Sequence, residues 1–258
     1  MISFFRHLIE KFEKTDEQRP RVELNLSDFS AIYAIGDIHG CMGLLQTVYN
    51  RILEDQPGIS GRKLVVFLGD YVDRGTSSQA VLDFLSRPTS DEVQHICICG
   101  NHDLEFLRFL RDAKSNMGWL GFGGEETLRS YGIDAEHILR SGGGLAVLTR
   151  VVGEAVPKHH VRFLESMPTM LTVGKLIFVH AGIRPGVPLD KQTDEDLMWI
   201  REPFLTDGPK LPFLVVHGHT ITPEPVFASG HVGIDTGAFA TGRLTVLRIC
   251  QGKASILQ

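Results

Sequence analysis

Five short apolar runs in this sequence each stop at a side chain able to bind a metal ion, and that repeated ending limits the possible folds more than any other feature. Ala31-Ile32-Tyr33-Ala34-Ile35 leads into GDIHG, Gly36–Gly40. Leu64–Leu68 leads into GDYVDRG, Gly69–Gly75, and Ile96–Cys99 into GNHD, Gly100–Asp103. Leu176–Val179 stops at His180, and Phe213–Val216 at HGHT, His217–Thr220. The runs are short, rich in β-branched residues and bounded by polar ones, so they read as buried strands. Apolar residues then recur at helical spacing after each of the first three: Leu44, Leu45, Val48 and Ile52; Val81, Leu82 and Leu85; Leu104, Leu107, Phe109 and Leu110. Three strand-then-helix units predict a parallel or mixed sheet covered by helices.

A lone aspartate or histidine after a strand is usually a turn residue, and Asp73 with Arg74 alone would be a weak surface ion pair. Five such endings are not explained that way, because in open α/β sheets the carboxyl ends of strands meet in one crevice where ligands bind. Gathering Asp37, His39, Asp70, Asn101, His102, His180 and His219 there is costly without cations to neutralise and coordinate them. No thiolate stands at these ends, so a structural cysteine–zinc site is not indicated. Oxygen and imidazole together suit manganese, iron or zinc. The ligands outnumber the needs of one ion, and two ions sharing a carboxylate, roughly 3.5–4 Å apart, form the arrangement that handles phosphate esters.

The rest of the chain sets bounds. With 258 residues, 43% hydrophobic and 22% charged, it has the composition of an ordinary soluble globular protein and the length for one large domain. That domain is expected over residues 22–258. Ahead of it, Phe4, Phe5, Leu8, Ile9 and Phe12 predict an amphipathic helix within an N-terminal extension, residues 1–21, that ends in a polar connector. A net charge of −5 gives no general attraction to nucleic acid. The apolar runs are too short to span a bilayer, and the N-terminus lacks the pattern of a signal peptide. A cytoplasmic chain without nucleic-acid or membrane partners is expected, and its oligomeric state stays open. Cys41, Cys97, Cys99 and Cys250 read as reduced thiols; Cys97 and Cys99 are expected on opposite faces of their strand, which argues against a C-x-C zinc site. The stretch Ser115–Ser130 reads as a loop followed by a short helix, its Trp119 and Phe122 either facing substrate or packing into the core. His159 and His160 fall in a helical stretch and read as solvated side chains. From residue 170 the pattern turns β-rich, with a hairpin over Met170–Val179, a helix around Thr193–Trp199 and further strands to Ile249.

The order GDIHG, GDYVDRG, GNHD, VHAG and GHT resembles the phosphoprotein phosphatase branch of the calcineurin-like metallophosphoesterases, from about Ile32 to Ile249. The resemblance implies a mixed α/β fold: two mixed β-sheets in a sandwich flanked by helices, four layers αββα, with a dimetal site at one edge. It places Asp37 and His39 on the first divalent ion, Asp70 between the two ions, and Asn101, His180 and His219 on the second. His217 falls at a non-ligand position. His102 becomes the general acid and Asp73 its orienting partner, with Arg74, Arg201 and Asn101 binding the phosphate. In such a site a water bridging two cations loses a proton near neutral pH and attacks phosphorus in line. Protonation of the leaving oxygen by His102 is typically worth ~10²–10⁴-fold, and arginines match phosphate oxygens through paired donors.

Two departures bear on the substrate. Cys99 stands where most protein phosphatases of this branch have an arginine before GNHE, and GNHD with VHAGIRP is closer to the symmetrical diadenosine tetraphosphatases of the same superfamily. Those enzymes tend to lack the aspartate of VDRG, which is Asp73 here. Pairing of Asp73 with His102 favours an alkoxide leaving group. The expected activity is therefore a manganese-type phosphomonoesterase acting on phosphoserine or phosphothreonine in proteins, with a dinucleoside polyphosphate hydrolase as the alternative. A reading of another class is an inactive scaffold that recognises phosphorylated partners; its signs would be a lost ligand or a missing His102, and neither is seen. Thr220 is followed by Ile221 rather than completing a GHxH motif, which argues against a phosphodiesterase or nuclease.

Overall fold

Strand β1 (Arg21–Leu24) opens the part of the chain that the computed structural model describes, residues 18–257 apart from 57 and 59. The helix expected over residues 2–14 lies outside the described residues. The three leading apolar runs form β2 (Phe29–Ile35), β3 (Arg62–Phe67) and β4 (Val93–Cys97), joined through helices α1 (Met42–Glu54) and α2 (Ser78–Leu85) and followed by α3 (Asn101–Arg111). These strands pair in parallel, β2 with β3 and β3 with β4. A helical stretch follows, α4 (Gly124–Ser130), α5 (Ala135–Arg140), α6 (Gly144–Ala155) and α7 (Lys158–Ser166).

The hairpin is present as antiparallel β5 (Met170–Val173) and β6 (Leu176–Val179). Beyond the short helices α8 (Asp194–Trp199) and α9 (Phe204–Asp207) come β7 (Leu214–His217), β8 (Val226–Ala228) and β9 (His231–Gly233). A four-residue helix α10 (Ala238–Thr241), then β10 (Val246–Cys250) and β11 (Lys253–Ile256), complete the chain. The strands make two mixed sheets, ordered β1-β5-β6-β7-β9-β8 and β11-β10-β2-β3-β4.

Strand periodicity explains the layering. Along β2, Ile32 and Ala34 face one way while Ala31, Tyr33 and Ile35 face the other; along β3, Leu64 and Val66 oppose Val65 and Phe67. Both faces are buried, so the runs read as nearly continuous apolar sequence. The first set meets Leu171, Val173, Phe178, Val216 and Val232 of the other sheet in the sandwich core. The second set packs under helices, including Leu45 and Ile52 of α1 and Phe106 of α3. On the far side, Ile177, Val179 and Val215 pack against Leu197 of α8 and Phe204 of α9. This is the four-layer αββα sandwich.

Strand β1 has no long apolar run; it forms because Arg21–Leu24 pairs in parallel along Met170–Val173. Arg19 is tied in beside it, its guanidinium donating to the Leu164 and Met167 carbonyls at 2.9 and 3.1 Å. Cys97 and Cys99 do not face opposite ways. Two residues apart, they share one face and lie in the helix-covered core, where burial pushes both thiols well above their usual range. His160 also departs from the expectation of a solvated side chain. It lies four residues before the buried Leu164, on the inward face of α7, and is fully buried, whereas His159 is half exposed. No described helix is long and apolar enough to cross a membrane.

Candidate metal centre

Parallel pairing brings the carboxyl ends of β2, β3 and β4 to the same edge of the sandwich as those of β6 and β7, which are parallel to each other in the second sheet. The loops leaving these ends fasten one another. The Ile38 and His39 amides donate to the Asp70 carbonyl at 3.2 and 2.7 Å, and Gly40 to the Tyr71 carbonyl at 3.0 Å. Contact is so close that a Cβ on Gly75 would sit 2.0 Å from the His39 carbonyl oxygen. His39, Asp70, Asp73, Arg74 and His219 all adopt φ between 43° and 71°, a left-handed region that costs a non-glycine residue on the order of 1 kcal/mol or more. Such a backbone persists only where its surroundings fix it. Part of that fixing comes from Asp103, whose carboxylate accepts from the amides of Asp70, Gly100 and Tyr71 at 2.8–2.9 Å.

Asp70 stands at the middle of the site and is 2% exposed. Its Oδ2 lies 3.5 Å from His39 Nε2 and its Oδ1 3.5 Å from His180 Nε2. His180 Nε2 in turn lies 2.8 Å from Asn101 Oδ1 and 3.2 Å from His219 Nδ1, and that Nδ1 is 3.0 Å from the same Asn101 oxygen. Two groups of ligand atoms, each gathered within 4.8 Å, result: His39 with Asp70 and His102, and Asp70 with His180 and His219. Asp37 lies beside them, 2% exposed, both its oxygens 3.1 Å from the His219 amide.

Outer hydrogen bonds set the imidazole tautomers. His180 Nδ1 faces the Leu68 carbonyl and His39 Nδ1 the Val72 carbonyl, each at 2.8 Å, so both Nδ1 atoms carry the proton. The Nε2 lone pairs then point at the oxygens of Asp70 and Asn101. Acceptor faces acceptor, which is unfavourable for protein atoms alone and favourable around a cation, with the second ring nitrogen anchored as metal-binding histidines require. Burial holds His39 down to about 4 and His219 down to about 3, leaving both rings neutral and able to coordinate. The two carboxylates are driven apart. Burial, then the charges of Asp235 and Asp70, raises Asp37 well above the carboxylate range. Burial also works against Asp70, yet the positive charge that the surrounding imidazoles, His180 first and then His102, His39 and His219, carry when protonated outweighs it and holds that group below the usual range. A divalent pair would relieve both, and the donors, oxygen and nitrogen without sulfur, fit such ions.

Beside this cage, His102 Nδ1 lies 2.6 Å from Asp73 Oδ2. Trp119 Nε1 donates to the same oxygen at 2.9 Å, and Thr127 donates to Oδ1 at 2.7 Å. Arg74 does not pair with Asp73; its Nη2 lies 3.1 Å from His102 Nε2 and its guanidinium sits 4.8 Å from the Phe239 ring centre. Arg201 is exposed, and its charge adds to the lowering of His219. The segment Met117–Phe122 is a 3₁₀ turn that splits its two aromatic side chains. Trp119 is buried against Asp73, while Phe122, 37% exposed, stacks flat on His102 at 4.2 Å. His217 is a core residue, its Nε2 3.0 Å from His231 Nδ1.

Two acidic residues at the site carry no role in the sequence reading. Asp103 fastens the loops, and its place as the last residue of GNHD was the available signal. Asp235 follows β9, accepts from the Gly237 amide at 2.8 Å and adds charge beside Asp37; the apolar run before it is too short to stand out.

Known proteins share this frame. The sequence model of the family described as calcineurin-like phosphoesterase matches residues 30–247. A bis(5'-nucleosyl)-tetraphosphatase PrpE (asymmetrical) from Anoxybacillus flavithermus is 29% identical over 237 residues, covering 83% of this chain and 88% of its own. A cold-active protein-tyrosine phosphatase from a psychrophilic Shewanella superposes with a TM-score of 0.59 at 16% identity, over 94% of this chain and 83% of that one. A protein serine/threonine phosphatase from Saccharomyces cerevisiae, similar to human phosphatase PP5, gives 0.55 at 14%, over 100% and 87%. At these identities the two structures speak for the fold alone, whereas the family match spans most of the chain. The protein therefore belongs to the calcineurin-like phosphoesterase family and is a metal-dependent phosphatase of the hydrolase class.

Proposed function

We propose that this phosphatase is a dimetal phosphomonoesterase acting on serine and threonine phosphates in proteins of the cytoplasm, with manganese as the working ion. The observation that supports this reading is the buried 2.6 Å contact between Asp73 and His102. An alkoxide leaves poorly unless it is protonated as the bond breaks, and an imidazolium backed by a carboxylate supplies that proton. His102 suits this role better than that of a ligand. Its Nδ1 is committed to Asp73, and its Nε2 faces the Arg74 guanidinium, where a further cation would be repelled.

In this reading Asp37, His39 and Asp70 hold one ion, and Asp70, Asn101, His180 and His219 the other. When bound, the ions activate water and draw charge from the phosphoryl oxygens. Arg74 turns from His102 Nε2 to the arriving phosphate, which frees that nitrogen to face the leaving oxygen. Arg201 reaches the anion from the exposed side, and the Asn101 amide adds a donor.

A second reading, hydrolysis of dinucleoside polyphosphates, is favoured by a separate observation. The bacterial relative at 29% identity carries that activity in its name, and the exposed rings of Phe122 and Phe239 beside the site offer faces on which a base could stack. Measuring kcat/KM on a phosphoserine peptide and on diadenosine tetraphosphate with manganese decides the order. Higher specificity for the peptide is expected; far higher specificity for the dinucleotide overturns the proposal. Absence of turnover on every phosphomonoester would favour the scaffold reading.

A further inference from the structure

A third gathering of metal-ligating side chains, separate from the cage above, joins α2 to α7. Asp83 Oδ1 on α2 lies 3.0 Å from His160 Nε2 and 3.6 Å from His159 Nε2 on α7, and the three ligand atoms fall within 4.8 Å of one another. The spacing is that of the catalytic cage, where imidazole-to-carboxylate contacts run at 3.5 Å and the two imidazoles His180 and His219 meet at 3.2 Å. It also brackets the roughly 3.3 Å that separates neighbouring donors around a tetrahedral ion with bonds of ~2.0–2.1 Å.

The rings are prepared for coordination. His160 is fully buried, and its Nδ1 lies 2.7 Å from the Tyr131 hydroxyl at the end of α4. A tyrosine hydroxyl can accept from that nitrogen, and the Nε2 lone pair then faces Asp83, as in the outer-partner arrangement of metal-bound histidines. Asp83 and His159 are partly exposed, which leaves an entry path and room for water at the remaining positions. Burial lowers the proton affinity of His160, so the ring competes for a cation rather than a proton. The start of α7 opposes a cation only weakly, and the Asp83 carboxylate offsets it.

We propose that Asp83, His159 and His160 form a binding site for one divalent cation of the zinc class, with water completing its coordination, that ties α2 to α7 outside the catalytic centre. Two imidazoles and one carboxylate select a borderline ion such as Zn²⁺ over Mg²⁺ or Ca²⁺, which take oxygen. The site is independent of the substrate reading above, because none of its residues belongs to the catalytic constellation.

The test counts metal. The full chain is stripped with chelator, equilibrated at a fixed low free Zn²⁺ concentration, and its bound zinc measured per chain, beside His159→Ala and Asp83→Asn. Both positions are partly exposed, so both variants are expected to fold and to retain phosphatase turnover. Each variant should bind one zinc fewer than the parent and show a smaller zinc-induced rise in Tm. An Asp70→Asn, His180→Ala double variant should still bind one zinc, lost on adding His159→Ala. Equal zinc content in the parent, His159→Ala and Asp83→Asn overturns the proposal, whatever the turnover shows.

Discussion

Replacing Asp73 by asparagine separates charge from shape at the proposed proton donor. The Asp73 side chain is fully buried and every oxygen is used, Oδ1 by Thr127 and Oδ2 by Trp119 and His102. Asparagine fits with its carbonyl in the Oδ2 position, still accepting from Trp119 and His102. Its amide then faces the Thr127 hydroxyl, which can turn to accept. The ring stays in place while the negative charge behind it disappears. Burial alone would lower the His102 pKa; the Asp70 charge and then the Asp73 bond and charge outweigh it and raise the group. Exchanging a hydrogen bond to a charged group, about 1.5–3 kcal/mol, for a neutral one, about 0.5–1.5 kcal/mol, removes about 1–2 kcal/mol of support for the imidazolium. At about 1.4 kcal/mol per tenfold this is a loss of about 5- to 30-fold.

The loss depends on the leaving group. With a phosphoserine peptide and manganese, Asp73→Asn should lower kcat by that factor. On p-nitrophenyl phosphate, whose phenolate leaves with little help, kcat should stay within about twofold. Bound metal should be unchanged. The donor must be protonated, so turnover falls as pH rises through the His102 pKa, and the alkaline limb of the kcat profile should move to lower pH in the variant. Equal losses on both substrates would mean that Asp73 acts through folding or the metals. No loss on the peptide would refute His102 as the acid.

Removing the acid itself, His102→Asn, should cost about 10²–10⁴-fold on the peptide while metal analysis still finds the parental content. Trp119→Phe takes away one donor to Asp73 Oδ2, leaving more of the negative charge on His102, so the alkaline limb should move up in pH, the opposite of Asp73→Asn. A Cβ at Gly218 would lie 2.0 Å from Asp37 Oδ1; Gly218→Ala should lower metal affinity and activity together, with circular dichroism of the sandwich unchanged. Asp55 receives the buried Tyr33 hydroxyl and Arg248 Nε, the latter at 2.6 Å, so Asp55→Ala should cost about 1.5–3 kcal/mol in urea unfolding at pH 7. Burial works against the Asp55 carboxylate, but those two bonds hold its pKa below the usual value. The contribution is therefore complete above the unfolded value of about 3.9 and lost as pH falls below it, and parent and variant should converge in stability there.

The strands that carry the site were legible because each is buried on both faces, which writes an unbroken apolar run, and each ends on a polar motif. Strand β1 escaped because it sits at a sheet edge, where Val22 and Leu24 are only half-buried and the pairing with β5 does the work. His160 was misread for a related reason. Two adjacent histidines on a helix look alike in sequence, but a step of 100° puts one on the inward face with Leu164 and leaves its neighbour at the surface. Asp103 and Asp235 were missed because their partners are backbone amides, and amides leave no trace in side-chain identity. For Phe122 and Trp119 composition left burial and exposure both open, and one tight turn buries the tryptophan and leaves the phenylalanine partly exposed.

What no residue pattern could show is the conformation that the site imposes. Seven non-glycine residues among those described have positive φ, and five are His39, Asp70, Asp73, Arg74 and His219. Aspartate and histidine enter the left-handed region more readily than most residues, but it remains the minority backbone for each of these five, so their side chains alone do not impose it. The strain is maintained by contacts from elsewhere in the chain: Asp103 on the Asp70 and Tyr71 amides, Thr127 on the Asp73 amide, Gly123 on the Arg74 amide and Asp37 on the His219 amide. Each support comes from a different loop or helix. The order GDIHG, GDYVDRG, GNHD names the groups that meet, while the αββα sandwich supplies the rigid edge against which those loops can be bent. Loss of that edge would release the loops to ordinary conformations and scatter the same side chains.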